Sequence, residues 1–190
     1  MIALGDILVV AATERELAPS RGWRTLCCGV GPVDAAAATS AAIAMARPAA
    51  IVHVGVAGTR RSRALPPATL VIGTEARYHD LGVPVHLAPG VLATSPDLVA
   101  AAARAFPDAP RMAIGTSGRI GGTTDTDVEA MEGFAVLRAA QRAGVRAIEV
   151  RVISNEIEQA DRTLWHFEAA FAAVLAATPR LVAEVARCAS

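Results

Sequence analysis

A chain of 190 residues with 53% hydrophobic content is long enough to bury a core, and residues 1–190 are expected to form a single domain. Eighteen basic and eighteen acidic residues cancel, so no nucleic acid or anionic membrane is expected as a partner. The longest apolar runs, about nine or ten residues, are short of a bilayer span, and the odd set Cys27, Cys28 and Cys188 is neither a disulfide framework nor a zinc pattern.

The N-terminus lacks a basic region followed by a long apolar stretch, which argues against a signal peptide and for a cytoplasmic protein. Residues 6–12, DILVVAA, form the continuous apolar run of a strand buried on both faces. Thr13 and Glu16 fit a capping box at a helix start. Glu16 is thus either a structural cap or a carboxylate at the mouth of the first strand, placed to act as a base. Residues 23–30 predict a second strand. Gly29-Val30-Gly31-Pro32 then turns into a helix over 33–46, with Pro32 suited to the first helical position. Gly29-x-Gly31 is similar to the start of a dinucleotide fingerprint. Asp34 occupies the third glycine position, however, and a tight turn explains the stretch better. A third strand, 49–54, closes on Gly55-Val56-Ala57-Gly58, where small residues let the backbone approach a ligand. Val56 offers no hydroxyl to an anion there. Arg60, Arg61 and Arg63 read as a solvated loop.

Strands are predicted over 68–76, 83–87 and 111–116, and a helix over 96–106. His79 and Asp80 are adjacent, so on a strand they point to opposite faces, and no further ligands stand at metal-binding spacing. Residues 117–126 form a glycine-threonine loop. Thr126 or Asp127 is expected to cap a helix over 128–143, whose first turn carries Glu129 and Glu132 on one face. The helix dipole alone would favour both carboxylates. Glu132 also suits the two hydroxyls of a ribose diol. Residues 147–153 are a β-branched strand ending at Ser154-Asn155, at the end where open α/β sheets bind ligands. Asn155 either starts a turn or offers its planar amide to a heterocycle. Trp165 belongs either to the core or to a pocket wall, and a terminal helix spans 166–187. The alternation of strands and helices gives a three-layer α/β domain.

The pieces AATERE, GVAG, MEG and RVISN stand in a fixed order. With GVGPVDAAAAT and TEARYHD they resemble the nucleoside phosphorylase/nucleosidase superfamily, especially its hydrolytic branch of methylthioadenosine/S-adenosylhomocysteine nucleosidases and futalosine hydrolases. The resemblance covers nearly the whole chain. It implies a central mixed sheet flanked by helices, a small-molecule nucleoside as substrate, a homodimer, and no metal or cofactor. By the same resemblance Glu16 activates the attacking water and Arg151 is a basic residue near it. Met131 and Glu132 contact the ribose, and Ala57 and Gly58 line base and sugar. Val56, which stands where related phosphorylases carry a phosphate-binding serine, and Ser154 are further substrate-binding candidates. Trp165 stands beside the 5′ substituent. Asn155 replaces the aspartate of adenine-cleaving relatives. A side-chain amide can donate to O6 or N7 of a 6-oxopurine, so hypoxanthine is favoured over adenine as the leaving base. Futalosine, an inosine-like nucleoside whose 5′ arm bears a carboxybenzoyl group, is the implied substrate, in menaquinone biosynthesis. Methylthioadenosine or S-adenosylhomocysteine cleavage, or a degenerate nucleoside-binding protein, are the alternatives. The stretch between Arg111 and Met131 is shorter than the family's and lacks its purine-stacking aromatic, which leaves Ile120 and Phe134 as expected lining. Arg60, Arg77 and Arg119 are candidates for the substrate carboxylate.

Overall fold

The computed structural model describes residues 1–189. Its strands are the β-branched runs: Ile7–Ala11 (β1), Arg24–Cys27 (β2), Ala50–Thr59 (β3), Leu70–Tyr78 (β4), Val91–Ala93 (β5), Arg111–Thr116 (β6), Val128–Ala130 (β7) and Arg146–Glu156 (β8). The helices are Pro32–Met45 (α1), Pro96–Ala105 (α2), Gly133–Ala143 (α3) and Phe167–Ala186 (α4). β1 lies parallel between β2 and β3, and β3 runs parallel to β8. β8 meets β4 antiparallel, β4 meets β6 in parallel, β6 meets β7 in parallel, and β7 returns antiparallel to β3. The mixed sheet therefore closes a circuit through β3, β8, β4, β6 and β7, while β2 and the short β5, which pairs antiparallel with β4, remain as edge strands.

Three apolar cores follow from this shape. One face of the sheet packs on Leu98, Ala101 and Ala102 of α2 and on Val174, Leu181, Val182 and Val185 of α4. The other face packs on Ala35 and Ile43 of α1 and on the first turns of α3. Ala57, Val71, Ile114, Val128 and Ile153 fill the inside of the closed circuit, one side chain from each of its strands. By length and composition α4 is apolar enough to cross a bilayer. Its buried residues recur at helical spacing, as on a helix that covers a sheet.

Two predicted elements are corrected. Residues 83–87 form a turn with Val85 and Leu87 exposed, and the strand of that region is β5. Pro84 removes a ladder donor from the short alternating run, and its carbonyl instead accepts the Leu87 N–H of a turn. The helix predicted from residue 128 starts only at Gly133. Val128–Ala130 are claimed as a strand by β3 on one side and β6 on the other, where both neighbours supply backbone partners. Neither Thr126 nor Asp127 is a cap, and Glu129 and Glu132 do not share a helical turn. Strands β3 and β8 also run further than expected and carry Gly55 to Gly58 and Ser154-Asn155 within them.

Candidate active site

A cleft of about 390 Å³ opens where the carboxyl ends of β1, β3 and β8 meet β7, the position at which α/β sheets bind ligands. Glu16, Val56, Ala57, Gly58, Ile120, Met131, Glu132, Arg151, Ser154, Asn155 and Trp165 all line it. Phe134 does not. Its backbone N–H donates to Thr116 Oγ1 at 2.9 Å at the start of α3, and its ring is buried against Tyr78 at 5.2 Å. The correction follows from the later helix start, which turns residue 134 into the α1–α3 core.

Glu16 sits on a short 3-10 turn, Glu14–Glu16, just beyond β1. The capping box is real: Oε2 accepts from the Thr13 N–H at 2.9 Å and from Thr13 Oγ1 at 2.7 Å. Oε1 accepts from the Val56 N–H at 3.1 Å. Three donors thus hold a carboxylate that is 3% exposed. Of its roughly four acceptor positions, one is left for a molecule in the cleft. The residue that caps the turn also lines the cleft.

Behind Glu16 lies a buried charge network that the sequence reading missed. Arg151, 1% exposed, donates from Nε to Glu149 Oε1 at 2.8 Å and from Nη2 to Glu132 Oε2 at 3.4 Å. The same Nη2 is 3.1 Å from His53 Nε2. A β-carbon at Gly55 would collide with Arg151 Nη1 and Glu16 Oε1, so only glycine lets the two charges face each other across β3. Glu132 accepts a second bond from the Gly31 N–H at 3.0 Å. Gly31 adopts φ +92°, a left-handed conformation that aims this N–H at the carboxylate. Burial raises the pKa of Glu149 against the pull of Arg151. Burial and then Arg151 push His53 well below its ordinary range, so it is neutral. Cys28, beside this network, is pushed up to about 12, first by burial and next by Glu132, and stays a thiol. The available signal for His53 and Glu149 was a titratable residue inside each β-branched run.

His53 ties stability to pH. The unfolded chain protonates it near 6.5 while the fold does not, so stability falls as pH drops below 6.5 toward the folded pKa. Glu149 has the opposite sign: the fold keeps a proton that the unfolded chain releases near 4.5, and this contribution is lost as pH rises through the folded pKa. Comparison with His53→Gln isolates the first effect. The variant's deficit in unfolding free energy is expected to shrink by up to about 1.4 kcal/mol per pH unit below 6.5. Urea denaturation at several pH values measures it, and a constant deficit would remove His53 from the balance.

On β8 the register with β3 slips: Ala57 faces Ile153 and Gly58 faces Asn155, leaving Ser154 unpaired in a bulge. Bulges re-aim side chains, and here Ser154 and Asn155 both reach the cleft. Asn155 Oδ1 accepts from Ser154 Oγ at 2.7 Å, and Nδ2 donates to the Glu156 carbonyl at 2.9 Å. One amide N–H remains for a ligand. Glu129 lines the cleft as well, but it accepts from the Gly121 and Thr123 N–H groups and from Thr123 Oγ1. It fastens the glycine-threonine loop.

Among the three candidate arginines, Arg60 bonds the Thr126 carbonyl at 3.0 Å and Arg77 pairs with Glu75 at 2.6 Å and Asp125 at 3.0 Å. Neither they nor Arg119 line the cleft. Arg15 does, together with Phe167 and Phe171. His79 also pairs with Asp125, at 3.1 Å, and no cluster of metal-ligating side chains occurs among the described residues.

Residues 24–122 match the family described as the phosphorylase superfamily. A futalosine hydrolase of Streptomyces coelicolor is 35% identical over 188 residues, spanning 84% of this chain and 78% of the relative. Among solved structures, a methylthioadenosine/S-adenosylhomocysteine nucleosidase of Colwellia psychrerythraea in complex with adenine superposes with a TM-score of 0.84. It is 18% identical and covers 97% of both chains. The futalosine hydrolase of Helicobacter pylori gives a TM-score of 0.81 at 16% identity, over 94% of this chain and 97% of that one.

Proposed function

The chain belongs to the phosphorylase superfamily, and from that membership we propose that it hydrolyses the N-glycosidic bond of a 6-oxopurine nucleoside, futalosine, releasing hypoxanthine. The observation that carries this reading is the surroundings of Glu16. A buried carboxylate with one free acceptor position stands beside the apolar Val56 side chain, and Arg151 is already committed to Glu149 and Glu132. Beside Val56 a phosphate dianion would meet the like charge of Glu16, while the nearby cation Arg151 is already paired with Glu149 and Glu132. Water meets a base. The nucleophile is therefore water, and hydrolysis is favoured over phosphorolysis.

In this mechanism Glu132 accepts from the 2′ and 3′ hydroxyls of the ribose, and Met131 packs on the sugar. Glu16 takes a proton from water as the glycosidic bond breaks through an oxocarbenium-like state. The cationic sugar is stabilised by the buried carboxylates around it. Asn155 donates its remaining amide N–H to the keto purine as the base departs with the bonding electrons. The water oxygen bonds to C1′, and the proton that Glu16 took from it passes to the departing base through solvent, so that neutral hypoxanthine and the free sugar are released. Ile120 and the small residues Ala57 and Gly58 line the base in place of an aromatic ring. The reading extends to a homodimer acting in menaquinone synthesis. Val30 and Ile120, both at the cleft, and Val33 are exposed apolar side chains of the kind a second copy would cover.

Release of free hypoxanthine from futalosine by the purified protein tests the reading. Adenine release from methylthioadenosine without hypoxanthine from futalosine would replace it with the alternative nucleosidase. Asn155→Asp is expected to move the ratio of kcat/KM values toward adenine nucleosides by about tenfold or more, because a carboxyl group can both accept from the 6-amino group and protonate N7. An unaltered ratio would remove Asn155 from base selection.

A further inference from the structure

Building on the nucleosidase reading, on which it rests, we propose that Arg15 is a specificity-determining residue at the mouth of the cleft, where, at the end of a wall formed by Trp165, Phe167 and Phe171, its guanidinium takes the carboxylate of an aryl group on the 5′ arm of the nucleoside. The floor of the cleft is polar and buried: Glu16, Glu132, Arg151 and Asn155 are each less than 9% exposed. They serve sugar and base. What remains is a half-open wall of three aromatic rings in series. Trp165 meets Phe167 at 5.3 Å, tilted by 54°, and Phe167 stacks on Phe171 at 5.7 Å and 11°. The Trp165 indole is fixed by its Nε1–H donating to the Gln159 carbonyl at 3.0 Å.

One exposed cation ends this wall. The Arg15 guanidinium lies 4.4 Å over the Phe171 ring, a cation–π contact that holds it beside the cleft. Its Nη2 pairs with Glu168, and both side chains are largely exposed. Such a surface pair is weak and exchangeable. Nε and Nη1 have no partner among the described residues, so Arg15 retains donors in the fork that matches a carboxylate. An aryl ring on the Trp165–Phe171 wall would bring its carboxylate to that fork. A plain alkyl or hydroxyl 5′ substituent would leave the guanidinium unused.

Futalosine and inosine, which has no 5′ arm, separate this role of Arg15 from the chemistry. Arg15→Gln is expected to raise KM for futalosine about tenfold or more with kcat nearly unchanged, and to lower the futalosine-to-inosine ratio of kcat/KM by about the same factor. Glu168→Gln should lower KM for futalosine by freeing the guanidinium. Arg162→Gln serves as the control: its guanidinium lies 5.6 Å over Trp165 but does not line the cleft, and it should leave the ratio alone. An unchanged ratio in Arg15→Gln, or equal loss with both nucleosides, overturns the role of Arg15 while leaving the nucleosidase reading intact. Should the unaltered protein cleave no futalosine, that reading fails, and 3-acetylbenzoate titrated against its methyl ester still decides the role of Arg15. Binding selective for the acid and lost in Arg15→Gln supports it; equal binding of acid and ester overturns it.

Discussion

Glu16→Gln is expected to lower kcat by about 10²–10⁴-fold, the usual contribution of a positioned base, while futalosine binding changes little. The amide cannot take a proton from water, and the structure shows why the exchange also has a small stability cost. Both carboxylate oxygens accept from backbone N–H groups, those of Thr13 and Val56. The Gln side chain must turn its NH₂ group toward one of these donors, losing one bond worth about 1 kcal/mol. Single-turnover release of hypoxanthine, with a parallel binding titration, measures the split. Retained turnover would take Glu16 out of the reaction and leave it as the cap of the Glu14–Glu16 turn.

The largest stability loss is expected from Arg151→Met. Arg151 is the cation facing buried Glu149, Glu132 and Glu16, and its removal leaves carboxylates buried without a counter-charge. Breaking such a pair costs about 3–5 kcal/mol, a large part of the roughly 5–15 kcal/mol that holds a domain folded. Glu149→Gln alone should cost far less, because burial already favours the protonated acid at that position. The double variant is expected to be more stable than Arg151→Met, and a double-mutant cycle from urea unfolding reads the coupling. If Arg151→Met unfolds within about 1 kcal/mol of the unaltered protein, the network does not stabilise the fold and serves only the site.

Both variants act on residues that were visible in the sequence, yet the network joining them was not. Glu16 stood out by its capping-box spacing from Thr13, and Arg151 and Asn155 by their place in RVISN. His53 and Glu149 sit on two separate strands, and only the register of β3 with β8, which pairs His53 with Glu149 directly, makes them neighbours of Arg151. Arg15 was passed over in favour of Arg60, Arg77 and Arg119, because sequence spacing does not say which guanidinium is already satisfied. Arg60 and Arg77 are bound to carbonyls and carboxylates of loops distant in the chain.

Local chemistry, then, determined the α/β class, the apolar strands, the carboxylate at the end of β1 and the amide at the end of β8. Each of these depends on periodicity, capping or side-chain type within a few residues. Tertiary pairing decided the rest. Val128–Ala130 became a strand because β3 and β6 offered backbone partners on both sides, which moved the start of α3 and carried Phe134 into the core. The bulge at Ser154 turned Asn155 into the cleft, and closure of β7 onto β3 made one cavity of ends that lie far apart in the chain. Hydrogen-bond partners contributed by distant strands outweigh local preference, and no window of sequence contains them.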